Sequence, residues 1–345
     1  MKIYIPFDYG YIGGPRTFLD NLKFYLDRKN VSFTTKVEEG DSTFFPNVIF
    51  DMDALKNIHN KGGKVVQRLD GVTYPSMHGA NYEEKEHTKE IKDIYINYAD
   101  FIVFQSEYSR IQCFEMYGEK EESNYEIIIN GVNKEIFKPG KTSTKLEDKI
   151  KFVTSANFRK ADLIEPIVEA LDKLKGKFDF ELHTVGGITN PDLKKFFERD
   201  YIIHHDNVNM QGVAEILQTS DIFLFSNINP PCPNSVCEAV STALPVVSFD
   251  SGSMKELCSF STELLTPVSN DIFQKYEDFN FDKFAEKIQL CIDQFPNFKQ
   301  KALDNAYKYS FEECGSKYVS VFERVIGKDI YKSNFISNIK RFFNN

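Results

Sequence analysis

The sequence predicts an α/β fold made of two doubly wound domains, each with a parallel sheet. Short β-branched or aromatic runs alternate with longer helical stretches along almost all of the 345 residues. The runs are apolar on both faces, which is typical of strands buried in a parallel sheet. At roughly 150 residues per domain the length suits two domains. We expect these to face each other across a cleft that holds the working site, because such sheets bind ligands beyond the carboxyl ends of their strands.

Ten runs are predicted to be strands, five in each half of the chain. They are residues 2–6, 48–51, 64–69, 101–105 and 126–129, then 151–155, 180–185, 208–210, 222–225 and 246–249. Pro, Gly and polar residues between the two series are typical of a linker. We therefore predict a first domain over 1–140, a linker over 141–150 and a second domain over 151–327. The C-terminal helix 328–345 is expected to pack back on the first domain.

Composition argues against several classes of protein. Lys and Arg number 42 against 51 Asp and Glu, a net charge of −9, which does not suit a protein that holds nucleic acid by bulk charge. No apolar run approaches the roughly 18 residues that span a bilayer. The six cysteines are scattered without a CxxC pair, as expected for reduced thiols in a cytoplasmic protein. The segment 340–343 (KRFF) near the C-terminus would give only weak contact with an anionic membrane, because two charges and two rings anchor poorly, and core packing is the better interpretation.

The junction between the first strand and the next helix is rich in glycine. Gly13 and Gly14 would let backbone N–H groups approach a phosphate, and Pro15 suits the first turn of a helix. The free N–H groups and the dipole of that helix would favour an anion. The spacing differs from G-x-G-x-x-G, and a tight turn without a ligand is the alternative.

A second candidate site follows the run at 222–225. A proline-rich loop leads to Asn234 and Ser235, good capping residues, so a helix is predicted to begin there. Glu238 would lie near the start of that helix, where a carboxylate can accept paired hydrogen bonds from a ribose diol. Alternatively, Glu238 complements the helix dipole, worth about 0.3–1 kcal/mol.

Further motifs accompany this segment in a fixed order. They are residues 13–19 (GGPRTFL), 68–71 (RLDG), 106–110 (SEYSR), 130–139 (NGVNKEIFKP), 158–160 (FRK) and 250–256 (DSGSMKE). The ordered set, with segment 229–247, resembles the GT-B glycosyltransferases of the retaining family-4 type, also called glycosyl transferases group 1. The resemblance covers essentially the whole chain. It implies two Rossmann-like domains facing across a cleft, with the nucleotide sugar held mainly by the second.

The resemblance also implies roles for individual residues at the donor site. Glu238 matches the ribose ligand, whereas the first acid of the family's pair falls on Pro230, which has no carboxylate. Backbone N–H groups of Asn234, Ser235 and Val236 remain available to the donor. How the sugar hydroxyls are held is left open.

Three charged residues are predicted to take part in catalysis. The resemblance implies that Lys160 grips the donor diphosphate and stabilises its departing charge, with Arg159 sharing that role. A solvated lysine at a helix start is the alternative. Asp70 follows a buried strand and is predicted to contact acceptor or sugar hydroxyls; a structural contact with Arg68 is the alternative. The family's histidine near here has no certain match, the nearest being His78.

Histidines and cysteines elsewhere in the sequence are poor candidates for metal ligands. His204 and His205 are adjacent and would diverge on a strand or helix. Cys232 and Cys237 lack a third ligand, so packed thiols are the better interpretation. We therefore expect no metal and no cofactor other than the nucleotide-sugar co-substrate.

The activity implied is transfer of a sugar from a UDP- or GDP-sugar to a saccharide, lipid-linked saccharide or protein acceptor, with retention. Two alternatives stay open. Pro230 in place of the first acid is compatible with a nucleotide-sugar-binding pseudo-enzyme or scaffold that has lost catalysis. A nucleotide-sugar epimerase would use the same scaffold.

Overall fold

The computed structural model describes residues 1–6, 14–40, 42–46, 51–75, 81, 83 and 85–327. The chain divides into two compact units. The first comprises Met1–Gln105, Ser109–Ile129 and Glu312–Asn345, and the second comprises Ser106–Tyr108 and Asn130–Phe311. Our predicted boundaries differ from this division, since residues 130–150 belong to the second unit and residues 312–327 to the first. The predicted helix 328–345 lies outside the described residues.

The first unit contains a six-stranded parallel sheet in the order β2-β1-β3-β4-β5-β6. Its strands are β1 (Lys2–Tyr4), β2 (Ser32–Thr34), β3 (Ser42–Pro46), β4 (Val65–Leu69), β5 (Phe101–Phe104) and β6 (Tyr125–Ile127). Its helices are α1 (Gly14–Asp27), α2 (Met52–Asn60), α3 (Glu86–Asp93), α4 (Glu107–Tyr117) and α11 (Phe311–Ile326). α3 continues into a π-helical turn, Ile94–Tyr98.

Local sequence explains how these helices start and what they bury. Asp51 caps α2, because its Oδ1 accepts from the Ala54 amide at 3.0 Å. α1 buries Leu22 and Leu26, which lie one turn apart on the same face. α11 contributes Gly315, where a Cβ would lie 2.3 Å from a Tyr25 ring carbon, so the absent side chain permits the close approach to α1.

The second unit contains another six-stranded parallel sheet, in the order β12-β11-β10-β7-β8-β9. Its strands are β7 (Lys149–Ser155), β8 (Asp179–Val185), β9 (Ile202–His205), β10 (Ile222–Phe225), β11 (Val246–Phe249) and β12 (Leu265–Thr266). Its helices are α5 (Glu165–Leu174), α6 (Met210–Thr219), α7 (Asn234–Ser241), α8 (Met254–Leu257), α9 (Phe281–Asp293) and α10 (Phe295–Asn305). The core includes Phe152 of β7 and a stack of Phe249 on Phe284, with ring centroids 4.7 Å apart.

The predicted strands agree with the structure in most cases. Eight of the ten runs coincide with β1, β4 to β8, β10 and β11, to within two residues at each end. The strand predicted at 208–210 is wrong, because Asn209 caps α6 by accepting from the Gly212 amide at 2.9 Å. The strand in this part of the chain is β9, which ends at His205. Of the run predicted at 48–51, only Asp51 is described. Pattern analysis missed β2, β3, β9 and β12, of which β2, β9 and β12 are short.

Within the part of the chain that the structure describes, none of the helices has both the length and the apolar character needed to cross a bilayer.

The second sheet has a topological switch point between β7 and β10. These strands are neighbours and run parallel, with Phe152 opposite Ile222 and Val153 opposite Phe223. The chain proceeds from β7 to β8 and β9 on one side, and from β10 to β11 and β12 on the other. In open α/β sheets, ligands bind beyond the carboxyl ends of the two strands at such a point. The segments that follow Ser155 and Phe225 are therefore where a ligand site is expected.

A buried lysine in the second unit predicts a pH-dependent stability. Lys299 of α10 is 1% exposed and donates from Nζ to the Ala243 carbonyl, just beyond α7, at 2.8 Å. Burial lowers its pKa from 10.5 to about 8, against a smaller opposing effect of Asp221. Between these values the unfolded state binds more protons than the folded state, so the free energy of unfolding rises with pH, by at most about 1.4 kcal/mol per pH unit.

We expect Lys299→Met to lose this rise, as measured by denaturant unfolding of variant and wild type at pH 7.5, 9 and 10. Lys177→Met at an exposed position is the control and should keep the wild-type pH profile. An unchanged profile in Lys299→Met would contradict the assignment.

Candidate functional site

The structure brings two of the predicted site segments to the switch point of the second sheet. Arg159 and Lys160 follow β7, and the loop that follows β10 leads into α7, which carries Glu238. Because β7 and β10 are paired in parallel, both segments leave the same edge of the sheet.

The two segments are also connected by hydrogen bonds around Asp162. Its carboxylate accepts from the Ile228 amide, and its carbonyl accepts from the Ser226 hydroxyl at 2.7 Å. Burial raises the pKa of this carboxyl, while the charges of Lys160 and Arg159 partly offset that rise. Both cations are exposed, at the start of a 3-10 helix over Ala161–Leu163. Asp162 therefore fixes the segment that presents them.

The position predicted for the family's first acid is a rigid proline. Asn229 adopts a φ of +49°, and its side-chain amide donates to the Gln274 carbonyl at 2.8 Å, while its main-chain amide donates to Ser251 Oγ at 2.9 Å. The Pro230 carbonyl accepts from the Ser253 amide at 2.9 Å. The loop is thus fixed by buried polar contacts, and residue 230 offers no carboxylate to a sugar.

α7 begins at Asn234, as predicted, but without a capping side chain. Its N-cap is Pro233, and Asn234 Oδ1 instead accepts from Asn130 Nδ2 at 2.8 Å. The Val236 amide donates to the Pro233 carbonyl at 3.1 Å, so the first turn of the helix already uses it. Within the described part of the chain, the main-chain amides of Asn234 and Ser235 have no acceptor. These two, rather than all three predicted amides, can face a ligand.

Glu238 lies in the second turn of α7 and is partly buried. Burial raises the pKa of its carboxyl from 4.5 to about 7. The side chains of Val236 and Cys237 beside it are fully buried. A carboxyl group in this setting can donate one hydrogen bond when protonated, and when ionised it accepts hydrogen bonds through both oxygens.

The remaining predicted residues belong to the first unit. Gly13 lies outside the described residues, and Gly14 is the first residue of α1. Asp70 follows β4 and accepts from the guanidinium of Arg68, as the structural alternative required, and from the Gln105 side-chain amide. Burial raises the pKa of the Asp70 carboxyl, and Arg68 and Gln105 oppose that rise.

Arg68 is 2% exposed, and its guanidinium lies 3.8 Å from the centroid of the Phe18 ring. Asp70 is thus the partner of a buried cation as well as a candidate ligand-binding group.

Two contacts at the site were missed by sequence reasoning, those of Asn130 and Asp162. Asn130 is part of the NGV motif, yet its partners Cys232 and Asn234 are 102 and 104 residues away. Asp162 follows Lys160 by two residues, and no motif marks it. The motif was a signal in the first case, but neither partner could be read from spacing.

His204 and His205 diverge on β9, as predicted. His204 Nδ1 lies 2.9 Å from Thr184 Oγ1, whereas His205 stacks on His183 with ring centroids 5.2 Å apart. Cys232 and Cys237 are buried thiols.

Gly252 tests how strongly the loop at residue 230 depends on close packing. Its φ is +61°, and a Cβ there would lie 2.4 Å from the Pro230 carbonyl oxygen. We expect Gly252→Ala to lower the free energy of unfolding by more than Gly176→Ala. Gly176 has a similar φ of +86° but nothing within 4 Å, so its substitution isolates the backbone strain of about 1–2 kcal/mol. Equal losses in denaturant unfolding would show that the contact with Pro230 is unimportant.

Glu238 gives a second stability test, with the opposite pH dependence to Lys299. Because its folded-state pKa of about 7 exceeds the unfolded value of 4.5, the folded state binds more protons between them. The stabilisation is full below pH 4.5 and is lost as pH rises through 7.

We therefore expect the stability of wild type relative to Glu238→Gln to fall between pH 4.5 and 7 and to stay level above it, in thermal melts. Glu215→Gln, at an exposed site on α6, should show a difference independent of pH. A level difference for Glu238→Gln would refute the raised pKa.

Comparison with known proteins identifies a family for the second unit. Residues 148–294 match the family model described as glycosyl transferases group 1. This segment includes both Lys160 and Glu238. No curated protein sequence matches the chain.

Solved structures resemble the chain over nearly its whole length. Sucrose-phosphate synthase from Thermosynechococcus elongatus is 13% identical, with a TM-score of 0.69, over 94% of this chain and 99% of its own. HepE of Anabaena, solved with UDP-glucose, is 13% identical, with a TM-score of 0.70, over 94% and 100%. WaaG, a glycosyltransferase involved in lipopolysaccharide biosynthesis, is 13% identical, with a TM-score of 0.65, over 93% and 99%. At these identities the likeness establishes the fold.

The predicted fold is confirmed, and so is the resemblance to the glycosyl transferases group 1, whereas the retaining family-4 type stays a prediction. The chain has the fold of the GT-B glycosyltransferases, and its residues 148–294 match the glycosyl transferases group 1 family.

Proposed function

We propose that this protein is a glycosyltransferase that moves a sugar from a nucleoside-diphosphate sugar, UDP- or GDP-linked, to a saccharide, lipid-linked saccharide or protein acceptor. The observation that carries the proposal is the placement of Lys160 and α7 at the switch point, inside the segment that matches the group 1 family. The structures of HepE with UDP-glucose and with UDP support the choice of donor class.

The second unit supplies groups suited to a diphosphate leaving group. Lys160 is an exposed cation beside the loop that follows β10. The amides of Asn234 and Ser235 and the dipole of α7 add donors and positive potential from a second direction. Such fixed donors stabilise the negative charge that develops as the anomeric carbon–oxygen bond breaks. Arg159 is proposed to share the role of Lys160.

Glu238 is proposed to bind the ribose diol of the nucleotide. Two hydroxyl groups can donate to one carboxylate, and ionisation of the carboxyl makes both of its oxygens acceptors. Because its pKa lies near 7 in the free protein, bound hydroxyl groups would favour the ionised form and lower that pKa.

Asp70 is proposed to contact the acceptor or the transferred sugar. Its pairing with Arg68 and Gln105 fixes the carboxylate orientation, and the residue stays partly exposed, so at least one lone pair can meet a hydroxyl group. Gly14, the first residue of α1, and Gly13, which precedes it in the sequence, are proposed to approach the diphosphate.

We further propose that transfer proceeds with retention and without a metal ion, in the manner of the family-4 enzymes that the motifs resemble. A nucleotide-sugar-binding pseudo-enzyme is the second candidate, because Pro230 replaces an acid of the family pattern. The two candidates share the donor site and differ only in turnover.

The experiment combines donor binding with turnover across a panel of UDP- and GDP-sugars. With the donor that wild type binds most tightly, Glu238→Ala should weaken binding about 10- to 100-fold, because hydrogen bonds to a charged group are lost. Lys160→Ala should lower kcat for sugar transfer or donor hydrolysis about 100-fold, because it removes charge stabilisation of the leaving group. Product anomeric configuration and the effect of EDTA are read in the same assay.

Lys194→Ala, another exposed lysine of the second unit, is the matched control and should retain wild-type kinetics. Donor binding without turnover of any sugar would favour the pseudo-enzyme. Failure of wild type to bind any nucleotide sugar would overturn both candidates.

A further inference from the structure

Asn130 lies where the chain enters the second unit, and it donates three hydrogen bonds to the segment formed by the end of the loop after β10 and the start of α7. Its side chain is 4% exposed. Nδ2 donates to the Cys232 carbonyl at 3.1 Å and to Asn234 Oδ1 at 2.8 Å, and its main-chain amide donates to Cys232 Sγ at 3.4 Å. A residue that is distant in sequence thus holds both the end of the loop and the first residue of α7.

These contacts determine which way the Asn234 amide faces. The Cys232 carbonyl can only accept, so the group of Asn130 that faces it must be the NH₂. The same NH₂ group faces Asn234, which must therefore present its oxygen to Asn130. Asn234 Nδ2 is left pointing away from this contact, and its two hydrogens have no acceptor within the described part of the chain.

We propose that Asn130 is a positioning residue that orients Asn234, so that the Asn234 side chain offers N–H donors to the diphosphate of a nucleotide sugar. The inference rests on the proposed function and specifies the phosphate-binding part of the site. It adds a side-chain donor to the main-chain amides of Asn234 and Ser235, at the end of α7 where the helix dipole favours an anion.

The orientation matters because phosphate oxygens are acceptors only. An Asn234 amide in the observed orientation donates to a phosphate, whereas a reversed amide would place its carbonyl oxygen against the anion and repel it. Rotation of the amide exchanges the two groups without changing the shape of the site. Only a fixed neighbour such as Asn130 gives the side chain one orientation.

Asn130→Asp is the direct test, because it keeps the side-chain shape and removes the donors. The carboxylate then attracts Asn234 Nδ2, which reverses the amide and turns its oxygen toward the ligand. We expect the Kd for UDP or GDP, whichever wild type binds more tightly, to rise about tenfold or more, by isothermal titration calorimetry. The Kd of the matching nucleoside, which lacks phosphates, should stay within about twofold of wild type. Equal losses for nucleotide and nucleoside would overturn the proposal.

A double-mutant cycle with Asn234→Ala separates orientation from general damage to the fold. Asn234→Ala removes the side-chain donor and should weaken nucleoside diphosphate binding on its own. If Asn130 acts through Asn234, then Asn130→Asp has little further effect in the Asn234→Ala background. Additive losses would refute the mechanism. Asn234→Ala also keeps the test decisive if Asn130→Asp does not fold, because unchanged diphosphate binding in Asn234→Ala would by itself overturn the proposal.

Asn305→Asp is the matched control. Asn305 Nδ2 donates to the Lys301 carbonyl at 2.8 Å on α10, so the substitution removes the same kind of bond on another helix. It should leave nucleotide and nucleoside binding unchanged. Failure of this inference is distinguishable from failure of the proposed function. If only the inference fails, wild type binds the nucleoside diphosphate, but the variants do not lose affinity for it in the expected pattern. If the proposed function fails, wild type does not bind the nucleoside diphosphate.

Discussion

The parallel pairing of β7 with β10 is the constraint on which the candidate site depends. Each of these strands is followed by a segment that carries predicted ligand-binding groups, and the pairing makes both segments leave one edge of the sheet. β10 is a fully buried run of aliphatic and aromatic residues, and β7 buries Ile150, Phe152 and Val153, so the hydrophobic effect stabilises the pairing independently of any ligand. Ligand-binding chemistry is thus placed on loops, while the rigid sheet determines where those loops begin.

The loop between β10 and α7 is held by a series of buried polar contacts. Ser226, Asn229, Pro230 and Cys232 each make at least one hydrogen bond to a segment outside the loop. Buried polar groups are costly when unpaired, so these contacts favour one loop conformation over others. The result is a preorganised turn in which α7 can present its first amides without a capping side chain. This arrangement also explains why a proline is tolerated at residue 230: its carbonyl accepts a hydrogen bond, and its missing N–H is not needed.

Burial raises the pKa values of the two candidate carboxyl groups, Glu238 and Asp70, but neighbouring groups oppose the rise only at Asp70. Glu238 has its pKa raised to about 7 by burial alone. Partial burial also raises the pKa of Asp70, but Arg68 and Gln105 oppose that rise. A carboxyl that is poorly stabilised as an anion gains most from a ligand that donates hydrogen bonds, which suits Glu238 to a diol. Asp70 is already paired, so its role in the first unit is more constrained by structure.

The sequence by itself determined the fold class, most of the strands and the order of the motifs. Strands such as β10 and β11 are strong signals because they are short, fully buried runs rich in β-branched and aromatic residues. Short strands at the sheet edges, such as β2 and β12, were missed because two or three residues are too few to show a hydrophobic periodicity. Sequence also led to Lys160 and Glu238 through the resemblance, and to the start of α7 at Asn234.

Only the tertiary structure decided how the side chains at the site are used. The sequence suggested that Asn234 caps its own helix, yet its side-chain oxygen accepts a hydrogen bond from Asn130, which lies 104 residues earlier in the chain. Asp162 belongs to none of the sequence motifs, yet it joins two loops. Hydrogen-bond partners of this kind depend on which strands lie side by side, and a linear pattern does not contain that information. Anion binding at α7 is proposed to depend on the orientation of the Asn234 side-chain amide. That orientation is set by contacts between segments that meet only after folding.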